Sequence, residues 1–381
     1  MQEQENILNN EPVVEYEDVN GNSIMEKPFD PTLIKIETKT PSLDTLIKRI
    51  RSKSVQLNTE TYFQRKDDLW DKTKQSRLIE SILIRFPLPA FFFDATDDNN
   101  WLVVDGLQRL SSIRNFAVDK RQPLSNLEFL THLNGAYWDD LPENLQRLIE
   151  ESQVVIYKIM PGTPTDVKFN IFKRINTGGL VLEPQEIRHA LFQGKPAIFI
   201  YELANTEEFK SATDNKIATN RMLDRDFVNR FLSFYLLGVD NYGSKEFGLD
   251  LDSYMSNAMA AIYTKSDTEL EKITSDFKRA MVLSKKIFGR EAFRKVRGYY
   301  DRLPPINKAL FDAIATQFAL LDIDSSNKLL LNGKLFKELL SKELATNNEF
   351  FMSVTSATGD KGRALLRHNK VNELILKTIT D

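Results

Sequence analysis

At 381 residues the chain is long enough for two packed units, and 41% hydrophobic with 28% charged residues describes ordinary globular composition. The net charge of −3 argues against a wholesale nucleic-acid coat protein, although it leaves room for a local basic patch. With no cysteine there is no disulfide, thiolate zinc site or cysteine nucleophile, and three scattered histidines (His132, His189, His368) make a histidine metal cluster improbable. No apolar run approaches the roughly 20 residues of a membrane helix, and the N-terminus has no secretory pattern, so a cytoplasmic protein is expected.

Residues 1–35 are rich in Glu, Asp and Asn, among them Glu15 and Glu17, and read as a disordered acidic tail. Ser42 is placed to cap a first helix with Leu43, Leu46, Ile47 and Ile50 on one face. A second helix is expected from about Asp71 to Arg85, stopping before Pro87. Two apolar runs, 90–93 and 101–104, flank a polar stretch holding Asp94, Asp97 and Asp98, and predict two buried strands joined by a turn. A helix follows Asp105, another spans about 140–151, and Val154 to Tyr157 reads as a strand. Thr163 and Pro164 open a helix with Val167, Ile171 and Ile175 inward, and Pro184 starts one more. Beyond residue 196 the periodicity is almost wholly helical, near 222–237, 252–264, 268–288, 307–322 and 333–344. The expected organisation is an α/β domain over 36–215, with a small sheet and surrounding helices, followed by an all-α domain over 216–381.

The strongest local feature is Val103-Val104-Asp105-Gly106-Leu107-Gln108-Arg109-Leu110, a strand, a glycine turn and a helix start. Such a junction offers free backbone N–H groups to a phosphate, and Arg109 one turn in is a candidate to fork onto phosphate oxygens. Asp105 would then hold Mg²⁺, orient Arg109 or position a water. The bland alternative makes Asp105 the helix cap, Gln108 its capping-box partner and Arg109 a solvated side chain. Further on, Arg174, Asn176 and Gly178-Gly179 sit where a helix ends, serving as a ligand wall or a plain C-terminal turn. Lys285, Lys286, Arg290, Arg294 and Arg297 crowd one helical region, as a phosphate-backbone track or simply a solvated face. Thr355 to Lys361, with Arg363 and Arg367 following, is either an anion site or a loop before a helix, and His189 is expected to be structural.

Asp105 to Arg109, followed by Phe172-Lys173-Arg174-Ile175-Asn176-Thr177-Gly178-Gly179 with Leu182 and Glu186, resembles the N-terminal-domain family of GmrSD-type, modification-dependent restriction enzymes. That family's hallmark is D-G-Q-Q-R on a ParB/sulfiredoxin-like core, then F-x-R-x-N-x-x-G-x-x-L-x-x-x-E. Phe63-Gln64-Arg65, Trp70 and Leu78 to Leu83 are similar to its opening segment, so the likeness covers roughly 40–200. It implies binding, and often hydrolysis, of a nucleoside triphosphate, usually in phage defence. The implied nucleotide site is Asp105, Gly106, Gln108 and Arg109, with Asp105 and Arg109 as catalytic groups and Asp105 as a metal ligand. Arg174, Asn176 and Gly179 would form a second wall. The chain departs at Leu107, where the family has glutamine and where one polar contact is therefore lost. Members that cut DNA carry a His-Me-finger nuclease; no H-x-x-P pattern surrounds His368, so a nuclease or methyltransferase on a separate chain is the expected effector. Two rivals stand beside this reading: a DNA-binding adaptor without nucleotide turnover, and a metal-dependent nuclease whose Asp94, Asp97, Asp98 and Asp105 gather at the Asp105 site.

Overall fold

The computed structural model describes residues 13–17, 34–57, 70–175, 183–298 and 302–380. Two compact units emerge, one over Pro28–Glu183 and the other combining Met1–Lys27 with Pro184–Asp381. The first is a mixed α/β unit and the second is helical, so the α/β-then-α organisation holds. The division falls at Pro184 rather than near 215, because helices over 195–212 bury Phe199, Leu203 and Phe209 in the helical core.

In chain order the α/β unit comprises β1 (Ile36–Lys39), α1 (Leu43–Arg51), β2 (Val55–Gln56), α2 (Lys72–Leu83), β3 (Phe91–Asp94), β4 (Trp101–Asp105), α3 (Leu107–Ile113), α4 (Glu143–Glu151), β5 (Ile156–Ile159) and α5 (Thr165–Ile175). The sheet order is β1-β5-β3-β4-β2. β3 is central, antiparallel to β4 and parallel to β5. Phe91 and Phe93 are fully buried in it, while Phe92 on the other face stacks on its β5 neighbour Tyr157 at 4.7 Å. β5 begins two residues later than its apolar run suggests. Lys158 is drawn into the sheet face, 2.5 Å from Glu37 and over the Trp101 ring.

α2 starts at Asp71, whose carboxylate accepts from the Lys74 N–H at 2.8 Å. Midway along it, buried Glu80 accepts three backbone N–H bonds, from Glu128 (3.0 Å), Phe129 (2.7 Å) and Leu130 (2.7 Å). One carboxylate thus satisfies the donors of a tight chain reversal that would otherwise be orphaned beside the helix. Burial alone would raise its pKa, but the three N–H dipoles outweigh it and hold the carboxyl below its ordinary value of 4.5.

The helical unit comprises α6 (Pro184–Leu191), α7 (Lys195–Ala204), α8 (Glu207–Ala212), α9 (Leu223–Leu237), α10 (Leu251–Ile262), α11 (Asp267–Phe288), α12 (Lys308–Leu320), α13 (Ile323–Leu331), α14 (Gly333–Thr346), α15 (Asn348–Ser353) and α16 (Lys361–Thr380). α12 is its axis, buried along nearly its whole length and packed against α9, α11 and α16. At its middle the fully buried Asp312 accepts from Arg230 Nε of α9 (2.6 Å) and from Arg367 Nε and Nη2 of α16 (2.8 and 2.9 Å). Two buried guanidiniums around one carboxylate leave a positive charge, and Glu17 neutralises it with a contact of 2.5 Å to Arg230 and another of 2.5 Å from the Thr358 hydroxyl.

Glu17 belongs to the segment expected to be a disordered tail. Residues 13–17 instead lie alongside Ile306, with backbone bonds of 2.8 and 3.0 Å, while Glu15 meets Lys295 at 2.5 Å and Asn307 at 3.0 Å. Its acidity is what docks it, since buried cations wait for those carboxylates. Lys35, at the end of the expected tail, accepts the Met160 N–H with its carbonyl at 2.8 Å, and residues 1–12 and 18–33 lie outside the described residues, as do Phe63, Gln64 and Arg65.

Glu80→Gln should cost about 1.5–3 kcal/mol at neutral pH, since a charge-assisted acceptor shared by three backbone N–H groups is weakened. The folded carboxyl sits below its unfolded value, so the stabilisation is present above that value and is lost as pH falls through the folded one. Urea unfolding should show the gap between wild type and variant closing as pH falls below the ordinary carboxylate value; a pH-independent gap would contradict this account.

Candidate functional site

β4 delivers Asp105 to the end of the sheet, and Gly106 turns the chain into α3 with a left-handed φ of +99°. A Cβ at Gly106 would stand 2.5 Å from Phe91 Cδ1, so both conformation and space demand glycine. Gly106 is therefore the residue at the cap position, and no side chain caps the helix. The capping-box alternative for Asp105 and Gln108 fails for that reason. Gln108 faces elsewhere, its Oε1 accepting the Trp70 N–H at 3.0 Å. Leu107 turns inward and is buried. α3 passes directly into a π-helical turn over Arg114–Val118.

Arg109 is neither a solvated side chain nor turned towards an open phosphate site. It is 8% exposed and lies over the Phe91 ring, 4.5 Å from the centroid. Its guanidinium donates to Pro89 O, to Ala90 O at 3.0 Å and to Asp105 Oδ2 at 2.8 Å. Those carbonyls belong to the chain entering β3, so one cation ties the start of β3 to the end of β4. Burial draws the guanidinium pKa down and Asp105 opposes that shift. The Asp105 side chain retains 35% of its exposure, so it orients Arg109 with one oxygen while keeping an open face.

The proposed aspartate cluster does not assemble. In the β3–β4 register Asp94 pairs with Leu102 and Phe92 with Asp105, which sets Asp94 about 10 Å along the strand from Asp105. Asp94 is instead buried against Lys168 of α5 at 2.9 Å and accepts from Thr96. Asp98 accepts from the Trp101 indole N–H at 3.1 Å. Among the described residues no group of three or more His, Asp or Glu side chains could hold a metal ion.

That Asp94–Lys168 pair fixes the course of α5. β5 is parallel to β3, and α5 packs on β4 with Lys168 at the Asp94 end. Arg174 lies in the last turn of α5 and is exposed. Sequence reasoning missed Lys168 altogether, although a lysine at the fourth position of a buried helix was the available signal. Asn176 and Gly179 lie outside the described residues.

The basic residues of the helical unit do not form one uniform track. Lys285 and Arg290 share Asp214 at 2.7 and 3.4 Å, and Arg294 is buried on Arg290 O (3.0 Å) and Pro304 O. Lys286 and Arg297 are exposed, Arg297 lying over the Phe351 ring at 4.1 Å. Thr355 to Lys361 does hold an anion, but it is the chain's own Glu17. His189 is fully buried, with burial and then Arg225 lowering its pKa to about 3, which leaves it neutral and out of reach of solvent.

A mixed five-stranded sheet whose Asp-Gly turn is braced by a buried arginine, followed by a helical unit, defines an α/β domain with an auxiliary helical body. Residues 43–193 match the family model described as GmrSD restriction endonuclease, N-terminal domain, and this stretch of the chain is similar to it. Neither a curated protein nor a solved structure matches the chain. No helix among the described residues is long and apolar enough to cross a membrane.

Gly106→Ala should cost about 2–4 kcal/mol, from the left-handed backbone and from the clash with Phe91. Arg109→Met, which keeps the stem but frees two carbonyls and Asp105, should cost at least about 2 kcal/mol. Thermal melts check both; an unchanged melting temperature in either would show that the junction is not built this way.

Proposed function

We propose that this chain binds a nucleoside triphosphate at the Asp105 end of the sheet and turns it over within a restriction system, acting with a separate effector. The family match over 43–193 supports the restriction role, since the matched domain is that of a restriction endonuclease, and with it DNA and a nuclease as partners. The observation that carries the nucleotide reading is the braced turn itself. A rigid glycine junction stands at a helix start with one open-faced carboxylate, and the first N–H groups of α3 have no intrahelical acceptors by position.

In this reading the N–H groups of Leu107 and Gln108 receive phosphate oxygens, and Arg174, in the last turn of α5, supplies the cation. Arg109 is a positioning residue, because its donors are occupied by β3 carbonyls and by Asp105. Asp105 would hold Mg²⁺, and a single carboxylate suits an ion that usually takes one or two, with phosphate and water completing its shell. The ion would supply neutralisation of phosphate charge. The residues of the chain contribute by fixing geometry before the ligand arrives, which is the cheapest route to phosphoryl-transfer catalysis.

Calorimetric titration with all four triphosphates and Mg²⁺ tests the proposal. At least one should bind, and Arg174→Ala should weaken it at least about tenfold. Asp105→Asn should keep an acceptor for Arg109 yet lose phosphate release. Absence of binding by every triphosphate would overturn the reading.

A further inference from the structure

The helical unit contains a cleft of about 520 Å³ between the 288–297 segment and α14, within the size range of small-molecule sites. Its floor is apolar, formed by Phe288, Phe293, Ile314, Leu340 and Leu344. Its ionisable lining is strongly one-sided, with five basic residues against two acidic ones on a chain whose net charge is −3. Part of that charge is already committed: Lys337 meets Glu291 at 2.6 Å, and Arg294 is buried on backbone carbonyls. At the mouth remain Arg297, Lys334 and Lys342. Arg297 is held over the Phe351 ring and reaches Ala345 O at 3.4 Å, and Lys334 stands 4.0 Å from Glu338 with both side chains largely exposed. The Lys342 ammonium has no hydrogen bond or ion pair among the described residues.

An apolar floor beneath a cationic mouth selects a particular ligand chemistry. A bare inorganic anion gains nothing from the phenylalanines, and a neutral apolar molecule leaves the cations unanswered. We propose that this cleft is a second ligand site, taking a compact organic anion whose apolar body lies on the Phe288–Phe293 floor and whose carboxylate or phosphate meets Arg297 and Lys342. The site is independent of the Asp105 turn, because every residue used belongs to the helical unit. Acyl carboxylates and mononucleotides share this chemistry, and competition distinguishes them.

The test is fluorescence titration of the full chain with anilinonaphthalene sulfonate, an aromatic body bearing one anionic group. Saturable binding at one site is expected, weakened at least about tenfold in the double variant Lys334→Glu, Lys342→Glu. Lys328→Glu, an exposed charge reversal on α13 that does not line the cleft, should bind as the wild type does, and all variants should melt alike. Either dodecanoate or deoxyadenosine monophosphate should displace the dye, and the one that does identifies the source of the natural ligand. Non-saturable binding, binding undiminished in the double variant, displacement by neither competitor, or equal displacement by inorganic phosphate would each overturn the proposal.

Discussion

One buried guanidinium sets the geometry on which the α/β unit's functional end depends. Arg109 collects two carbonyls from the chain entering β3 and one carboxylate from the end of β4. Removing it would leave those three acceptors without their shared donor and untie the start of β3 from the end of β4. The glycine before it follows from the same constraint. Phe91, over which the guanidinium lies, fills the space where a side chain at position 106 would go. The Asp-Gly-x-Gln-Arg pattern is thus a folding device first, each polar member having a partner within the unit, and its rigidity is what makes Asp105 and the first N–H groups of α3 usable by a ligand.

The helical unit solves a similar problem with charge. Burying Arg230 and Arg367 around one aspartate requires a second carboxylate, which comes from Glu17, far away in sequence. An acidic segment that looks incapable of ordering is ordered by electrostatics rather than by apolar burial. The same reasoning explains why the basic run near 285–297 is less available than its composition suggests. Asp214 and two backbone carbonyls absorb three of its five cations, and of the other two only Arg297 lines the α14 cleft.

Much of the architecture was legible because it rests on local rules. Helices such as α2 from Asp71 and the long α11, and the two apolar strands flanking a polar turn, follow local periodicity and turn signals. β1 and β2 were not legible: Ile36–Lys39 is mostly exposed, and Val55–Gln56 is only two residues long, so neither carries an alternating signal. The site divides along the same line. The position of the Asp105 turn is written locally, but the partners of Arg109 lie about twenty residues upstream and those of Lys168 more than seventy away. No spacing rule announces such contacts. A surface cation and a buried brace have the same sequence.

The central claim is that Asp105 and Arg109 act as one coupled element. A double-mutant cycle of Asp105→Ala and Arg109→Met, read by urea unfolding, measures that coupling directly. A coupling energy of about 1–3 kcal/mol is the predicted result. Strictly additive losses would contradict it, and would return Arg109 to the set of groups free to meet a phosphate.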